Sequence, residues 1–421
     1  MKRITIPCLT TLLVATLGIA RSAEVEGLRT WTSSGGKSLK AALVKVTKVD
    51  KVAKATMKRQ SGQEFVVPLS GLSDADQEAI QAWLKTNPTG VAIPIPPFIW
   101  PTKYNGSATP KVVEAGYDDE EGYHLYRTKY FDFQVDAKVG KTTISQCVAV
   151  FESIVGALDT LPLALDTVPA SDKERYKAIL VSSRTKYAEL GGMPNSGGFF
   201  WPSKNLTVIP FRSLGIEKKG NSWGFDGKNR NFDTLVHELT HHSMGRKWSS
   251  LPVWVTEGIA DYMAAMPYRS GQFLFTNVGK SAAGSVRDSY KGTTWERSAM
   301  PKGVFIMVKP STLFAISHRE WSKTLAMNAM DGSRYYSSSL LMIYYFMHED
   351  AGGRGEHFVP WLHEIRAARL TERGGVGEKQ KAITEKYLMR GRTNEELEKD
   401  IAATLQKKGL RVQFGKARTR L

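Results

Sequence analysis

The stretch that decides how this chain is interpreted reads Asn231-Phe232-Asp233-Thr234-Leu235-Val236-His237-Glu238-Leu239-Thr240-His241-His242. It contains the pattern HExxH, formed by His237, Glu238 and His241. In a helix, residues i and i+4 lie on one face, so both imidazoles can reach the same metal ion. Glu238 then lies beside that ion, where its carboxylate can accept a proton from an activated water. The stretch therefore predicts a metal-binding helix suited to hydrolysis.

A five-residue pattern also occurs by chance on ordinary amphipathic helices, so the flanking residues matter. Leu235, Val236 and Leu239 supply an apolar side, and Asn231 or Asp233 is a suitable helix cap. These neighbours favour a real helix at the motif.

A third metal ligand is available a short distance downstream. A catalytic zinc ion usually has three protein ligands and one open position. Glu257 and Asp261 form a second i, i+4 pair on a second predicted helix. One carboxylate can bind the metal while the other accepts a hydrogen bond from a ligand imidazole and fixes its orientation.

The two motifs together resemble those of the gluzincin metallopeptidases, which carry HExxH on one helix and a glutamate ligand on the next. The matching residues are Glu257-Gly258-Ile259-Ala260-Asp261-Tyr262. The resemblance implies one Zn²⁺ per chain held by His237, His241 and Glu257, with Asp261 behind a ligand imidazole. A site with Asp261 as the ligand remains an alternative.

Two other ligand sets fit the sequence less well. A metzincin would carry glycine and histidine where this chain has Met244 and Lys247. His242 cannot join the same ion as His241, because adjacent helical residues point about 100° apart.

The resemblance also implies a mechanism and a substrate class. An exported zinc peptidase would use Glu238 to accept the proton of water and deliver it to the leaving amine of a peptide or protein substrate. Tyr336 is the candidate donor to the oxyanion, with Tyr335 as its rival. The alternative is that both tyrosines only pack. Three weaker donor candidates are His348, His357 and His363.

Gluzincins bind substrate along an edge strand that precedes the motif helix. Residues 197–202 and 206–210 are typical of a hairpin at that place. An ordinary core hairpin is the alternative. Residues 271–291 are expected to be a loop that borders the cleft.

The N-terminal residues 1–23 have a basic start, a short apolar run and small residues, as in a secretory signal peptide. Cleavage is expected near Ala20 or Ala23, which predicts a secreted or periplasmic protein. A retained membrane anchor is the alternative. Cys8 leaves with this segment, and Cys147 alone cannot form an internal disulfide.

The chain is strongly basic, with a formal net charge of +17. Without residues 1–23, which contain three basic and no acidic residues, the charge is +14. This excess is consistent with weak contact with anionic envelope surfaces or with solubility alone. No nucleic-acid partner is expected, because no recognisable module for it is present.

Residues 24–86 are expected to form a separate small domain of alternating strands and one helix. Arg29-Thr30-Trp31-Thr32, the turn Ser61-Gly62 and residues 67–77 resemble the Sla-type homology domain of endocytic adaptors. That resemblance implies an SH3-like β-barrel and a short peptide ligand, with a structural spacer as the alternative. A proline-rich linker is expected over residues 87–101.

The predicted fold class is α+β, with a zincin-like catalytic domain over residues 102–415 and a basic tail at 416–421. A strand at 126–135, a helix at 143–161, a strand at 176–181 and the hairpin should precede the motif helix. After it the sequence predicts helices at 337–348, 357–369, 376–387 and 394–408, then a strand at 410–414.

Two readings compete with the enzyme. One is a catalytically silent zincin-fold protein that binds or scaffolds in the cell envelope. The other is a polyanion-binding protein in which the helix histidines are incidental. Glu238 is intact, which favours the enzyme.

Overall fold

The computed structural model describes residues 27–49, 52–90, 92, 97–169, 171–193, 196–201, 203–225, 233–245, 248, 250–371 and 377–415. The chain divides into two compact units, residues 1–92 and residues 93–421. The predicted signal peptide, the basic tail and residues 91 and 93–96 of the expected linker lie outside the described residues. Both helices and sheets are present, so the fold class is α+β.

The first unit is an antiparallel sheet with one helix packed on it. Its strands follow each other in the order β1-β2-β3-β4, and α1 closes the unit. The bounds are β1 Arg29–Thr32, β2 Ser38–Val49, β3 Val52–Lys58, β4 Glu64–Pro68 and α1 Asp74–Thr86.

Its core is small and is centred on Trp31, Met57 and Ile80, each at most 4% exposed. Ser73 caps α1, and its side chain accepts a hydrogen bond from the Asp76 amide. Asp76 in turn pairs with Arg29 and accepts a hydrogen bond from the Thr32 amide. The helix start is thereby fixed to the first strand.

Residues after α1 return to the sheet. The Val46 amide donates to Gly90 O at 2.7 Å, and the Ala92 amide donates to Val44 O at 2.9 Å. Gly90 has φ +68°, and a Cβ there would lie 2.7 Å from Val46 O, so only glycine fits without a shift. The described residues up to 92, the first part of the expected linker, therefore belong to the first unit.

In the described residues of the second unit, the remaining strands form one large sheet and three small ones. Their bounds are β5 Lys103–Asn105, β6 Val113–Asp118, β7 Tyr123–Arg127, β8 Phe131–Val135, β9 Tyr176–Val181, β10 Phe199–Trp201, β11 Leu206–Pro210, β12 Ile216–Lys219, β13 Ser222–Phe225, β14 Tyr268–Arg269, β15 Gln272–Leu274, β16 Val304–Val308 and β17 Arg411–Gly415.

The large sheet has the order β10-β11-β9-β8-β7-β6. Strands β8, β9 and β11 are parallel, while β10 runs antiparallel to β11 at one edge. The predicted hairpin is confirmed as the β10–β11 pair. The single strand predicted for 126–135 is wrong, because the Thr128 amide donates to Phe131 O at 2.9 Å and turns the chain between β7 and β8.

The α-helices that follow α1 belong to the second unit. Their bounds are α2 Lys141–Thr160, α3 Arg184–Glu189, α4 Asp233–Met244, α5 Val253–Ala264, α6 Val278–Tyr290, α7 Glu296–Ala299, α8 Pro310–Ala315, α9 His318–Met327, α10 Ala329–His348, α11 Phe358–Thr371, α12 Glu378–Thr384 and α13 Asn394–Lys407. In the described part of the chain, none of the helices has the length and apolarity needed to cross a bilayer.

Several predicted helices are confirmed within a few residues, but two regions differ. The helix predicted to begin at Ser337 begins at Ala329, where the Asn328 side chain accepts hydrogen bonds from the first amides of α10. The loop predicted over 271–291 is wrong, because α6 occupies most of it. Gly279, Ala282 and Ala283 form the buried side of α6.

The core of the second unit joins the sheet to the helices. Phe131 and Phe133 of β8 pack against Phe151 of α2, with ring centroids 5.2 and 5.0 Å apart. Helix α10 is buried at every residue from Ser337 to Met347. These contacts fix the helices that carry the candidate site.

Candidate metal centre

Helix α4 carries the HExxH motif with its apolar side in the core. Leu235, Val236 and Leu239 are each at most 2% exposed. Helix α4 is followed by Gly245, which has φ +50° and whose amide donates a hydrogen bond to His241 O at 2.9 Å. Both features are typical of a left-handed C-cap. Because the apolar residues of α4 face the core, His237 lies on the opposite, partly exposed side of the helix.

On α5, the partly exposed residues Glu257 and Asp261 face α4. Most of α5 is buried, whereas Glu257 and Asp261 keep 17% and 24% of their side-chain surface exposed. A Cβ at Gly258 would lie 2.7 Å from Ser339 O of α10. The glycine beside Glu257 thus permits a close approach of α5 and α10.

Three donor atoms form a compact triangle between α4 and α5. His237 Nε2 and His241 Nε2 are 3.0 Å apart, and Glu257 Oε2 lies 3.3 and 3.2 Å from them. Zinc bonds of about 2.0–2.1 Å in a tetrahedron give edges of about 3.3 Å. Among the described residues, this is the one group of such side chains close enough to hold a metal ion. The donor set fits zinc in both type and spacing.

Asp261 lies on the far side of His237 from the triangle. Its Oδ1 is 2.7 Å from His237 Nδ1. A proton on Nδ1 donated to Asp261 leaves the lone pair of Nε2 directed at the triangle. The arrangement makes Glu257 the metal-ligand candidate and Asp261 the residue that orients the imidazole.

The carboxylates beside His237 favour positive charge at the triangle. Burial disfavours charge on His237, but Asp261 and Glu257 raise its pKa well above the ordinary value. Burial likewise opposes the charge of Glu257, yet His241 and His237 lower the pKa of its carboxyl well below the usual range.

Glu238 lies between the two histidines in sequence and faces the large sheet. Burial raises the pKa of its carboxyl, and His237 and His241 partly offset that shift. A Cβ placed on Gly198, just before β10, would lie 3.8 Å from Glu238 Cγ. The candidate general base is thus next to the edge strand.

Of the two candidate tyrosines, the structure brings Tyr336 to the cluster. Its ring centroid is 6.0 Å from that of His237. Tyr335 is 7% exposed and packs on Trp321, with their ring centroids 5.4 Å apart. Burial raises the pKa of Tyr336, and the charge of Glu257 adds to the shift, so its hydroxyl stays protonated.

The weaker candidates are placed elsewhere. His348 lies twelve residues after Tyr336 on α10, about 18 Å along the helix, and pairs with Tyr262 Oη at 2.9 Å. His363 is 2.9 Å from Leu163 O. His357 precedes α11 and is not in the metal-ligand group.

Two cavities open beside the cluster, and the sequence interpretation missed the helix that lines them. One of about 460 Å³ is bordered by Asp261 and Tyr336, and one of about 650 Å³ is bordered by Asp233. Both include Ser285 and Ser289 of α6. The signal was the helical spacing of small buried residues at 279, 282, 283 and 286.

No family model matches the chain and no curated protein matches it, so its function is argued from this geometry.

Proposed function

We propose that this chain is an exported zinc-dependent peptidase with a zincin-like second unit. The observation that carries the proposal is the triangle of His237 Nε2, His241 Nε2 and Glu257 Oε2, with edges of 3.0–3.3 Å. Its spacing suits one tetrahedral ion with a fourth position left for solvent.

In this proposal the chain's own residues move the protons. Bound zinc supplies a Lewis acid that lowers the pKa of water and polarises the peptide carbonyl. Glu238 accepts the proton of the attacking water and later gives it to the leaving amine.

Tyr336 is assigned to the developing oxyanion. Its phenol is held between Trp321 (centroids 5.3 Å apart) and His237. A fixed O–H donor stabilises negative charge without reorganising when the charge develops.

The substrate is proposed to bind as an extended peptide along β10. One edge of β10 pairs with β11, and no other described strand pairs with its second edge. Unpaired backbone groups can accept an additional strand. The cavity beside Asp261 and Tyr336 then offers room for a substrate side chain.

The first unit is proposed to be an SH3-like barrel. Its four-stranded antiparallel order and the return of residues 90 and 92 to β2 support this assignment. A peptide ligand of this unit, and weak contact of the basic chain with anionic envelope surfaces, complete the proposal.

The decisive experiment measures zinc content and peptide cleavage together. The full-length chain and Glu238→Gln are loaded with zinc and incubated with a diverse peptide library, and products are mapped by mass spectrometry. We expect stoichiometric zinc in both proteins and cleavage by the wild type. The kcat of the variant should be about 10²–10⁴-fold lower.

Glu238→Asp is the matched control, because it keeps a carboxylate and should retain more activity than Glu238→Gln. Equal cleavage by wild type and Glu238→Gln would refute the proposed role of Glu238. Zinc binding without cleavage of any peptide by the wild type would favour a silent binding protein.

A further inference from the structure

The second histidine of the His241-His242 pair has no part in the metal cluster, yet it is completely buried. Its exposed fraction is 0%, and its Nδ1 lies 2.7 Å from the hydroxyl of Thr207, which is also 0% exposed. Thr207 belongs to β11 and is paired in register with Phe200 of β10. The imidazole therefore bonds to the strand next to the proposed peptide-binding edge.

The edge strand itself also contacts this ring. The Phe200 and His242 ring centroids are 4.9 Å apart at an interplanar angle of 31°. Tyr176 of β9 closes another side at 4.8 Å and 70°. Tyr176 also donates its hydroxyl to Ser243 O at 2.9 Å. The ring is thus held by three neighbouring strands of one sheet.

Helix and strand meet at two points with matching spacing. Glu238 and His242 are one turn apart, about 6 Å along α4. Gly198 and Phe200 are two residues apart, about 7 Å along an extended chain. Gly198 lies against Glu238, and Phe200 lies against His242. A slip of either element would misalign the contact at Glu238.

We propose that His242, through Thr207 and Phe200, is a positioning residue that sets the register of β10 against Glu238 and the metal ligands. The inference rests on the proposed function, because it assigns β10 to the substrate. The Thr207 hydroxyl satisfies the buried Nδ1 of His242 and at the same time ties α4 to β11, the strand paired with β10.

The test compares Thr207→Val, which removes the hydroxyl and keeps the shape, with Thr167→Val. Thr167 is a matched control, since it is 1% exposed and its hydroxyl donates to Val155 O at 3.0 Å. Its main-chain oxygen accepts a hydrogen bond from the Tyr176 hydroxyl, and the valine variant keeps that oxygen. Both variants are made in the zinc-loaded full-length chain, and folding is checked by thermal unfolding.

Thr207→Val should raise KM about tenfold for an extended peptide, the loss expected for one buried hydrogen bond. Zinc content, and kcat on a short blocked substrate that spans only the scissile bond, should not change. His242→Asn, whose amide can reach Thr207, should give a KM between that of the wild type and that of His242→Leu. Thr167→Val should leave KM unchanged.

Hydrogen exchange provides a readout that does not depend on catalysis. Amides of 199–201 and 206–209 should exchange about tenfold faster in Thr207→Val and at the wild-type rate in Thr167→Val. If the wild type cleaves nothing while this difference is present, the peptidase proposal fails and the positioning contact stands. Equal exchange rates in the two variants overturn the positioning role.

Discussion

His237 and His242 stand five residues apart on α4 and have opposite surroundings. His237 faces Asp261 and Glu257, and these carboxylates raise its pKa. His242 is enclosed by Phe131, Tyr176 and Phe200, and burial lowers its pKa to about 3. His237 thus lies on a side of α4 that faces carboxylates, and His242 lies on a side that is enclosed by aromatic rings.

The difference shows that a histidine's role is set by what its helix face meets. A residue one position from a ligand is turned about 100° away and enters the sheet. The buried imidazoles of His348 and His363 follow the pattern of His242, since burial lowers the pKa of each to about 4. We expect metal binding only on the side of α4 that carries His237 and His241, called the acidic side because it faces Glu257 and Asp261.

The largest effect should come from removing ligands on the acidic side. His241→Ala and Glu257→Ala each remove one donor atom from the triangle. The zinc content after dialysis should therefore fall from about one ion per chain to nearly none, and cleavage should stop. Metal analysis of the dialysed chain measures this. His242→Asn is the control and should keep its zinc. If that variant also lost zinc, the contrast between the two sides would be broken.

A smaller effect is expected from Asp261→Asn, which weakens the hold on His237 Nδ1 without removing a ligand. Zinc affinity should fall about 10–100-fold, as for other residues that orient a ligand. Competition with a chromogenic chelator measures the change. Asp132→Asn on β8, which removes a surface pair with Arg127, should leave the affinity unchanged. An unaltered affinity in Asp261→Asn would show that this hydrogen bond does not tune the site.

The smallest expected effect concerns His363, one of the buried histidines. The pKa of His363 is about 4 when folded, against an ordinary value of 6.5, so its contribution to stability is complete above about pH 6.5 and is lost as the pH falls towards 4. At pH 5 that loss is on the order of 2 kcal/mol. Urea unfolding at pH 8 and pH 5 measures it in the zinc-saturated chain.

His363→Gln is the comparison variant, because it cannot titrate in this range. Its unfolding free energy should fall by about 2 kcal/mol less between pH 8 and pH 5 than that of the wild type. Identical pH dependence in the two proteins would mean that His363 is not held neutral by burial.

The sequence predicted the parts of the site that depend on local spacing. HExxH and the Glu257–Asp261 pair each occupy one face of a helix because the i, i+4 relation is fixed by 3.6 residues per turn. The hairpin was an expectation of the resemblance, and its two strands pair locally because they are only four residues apart in sequence. The single strand predicted over 126–135 failed at Thr128 to Tyr130, where a turn separates β7 from β8 and the alternation shifts phase between Tyr130 and Phe131.

Helix α6 shows where composition misleads. Glycine and serine are weak helix formers, so residues 271–291 resemble a loop. Packing of its small residues against the core reverses that preference. A Cβ on Gly279 would lie 2.3 Å from Tyr344 Oη, so the glycine that weakens the isolated helix is what lets it pack. The cavities beside the site depend on this helix.

By itself, the sequence determined two helical faces that each carry candidate metal ligands, because that information lies within a single turn of helix. Only the tertiary structure decided that Glu257 closes the triangle while Asp261 orients His237, that Tyr336 rather than Tyr335 faces the cluster, and that His242 bonds to β11. Each of these depends on distances between elements far apart in the chain, which are fixed by core packing and not by local periodicity.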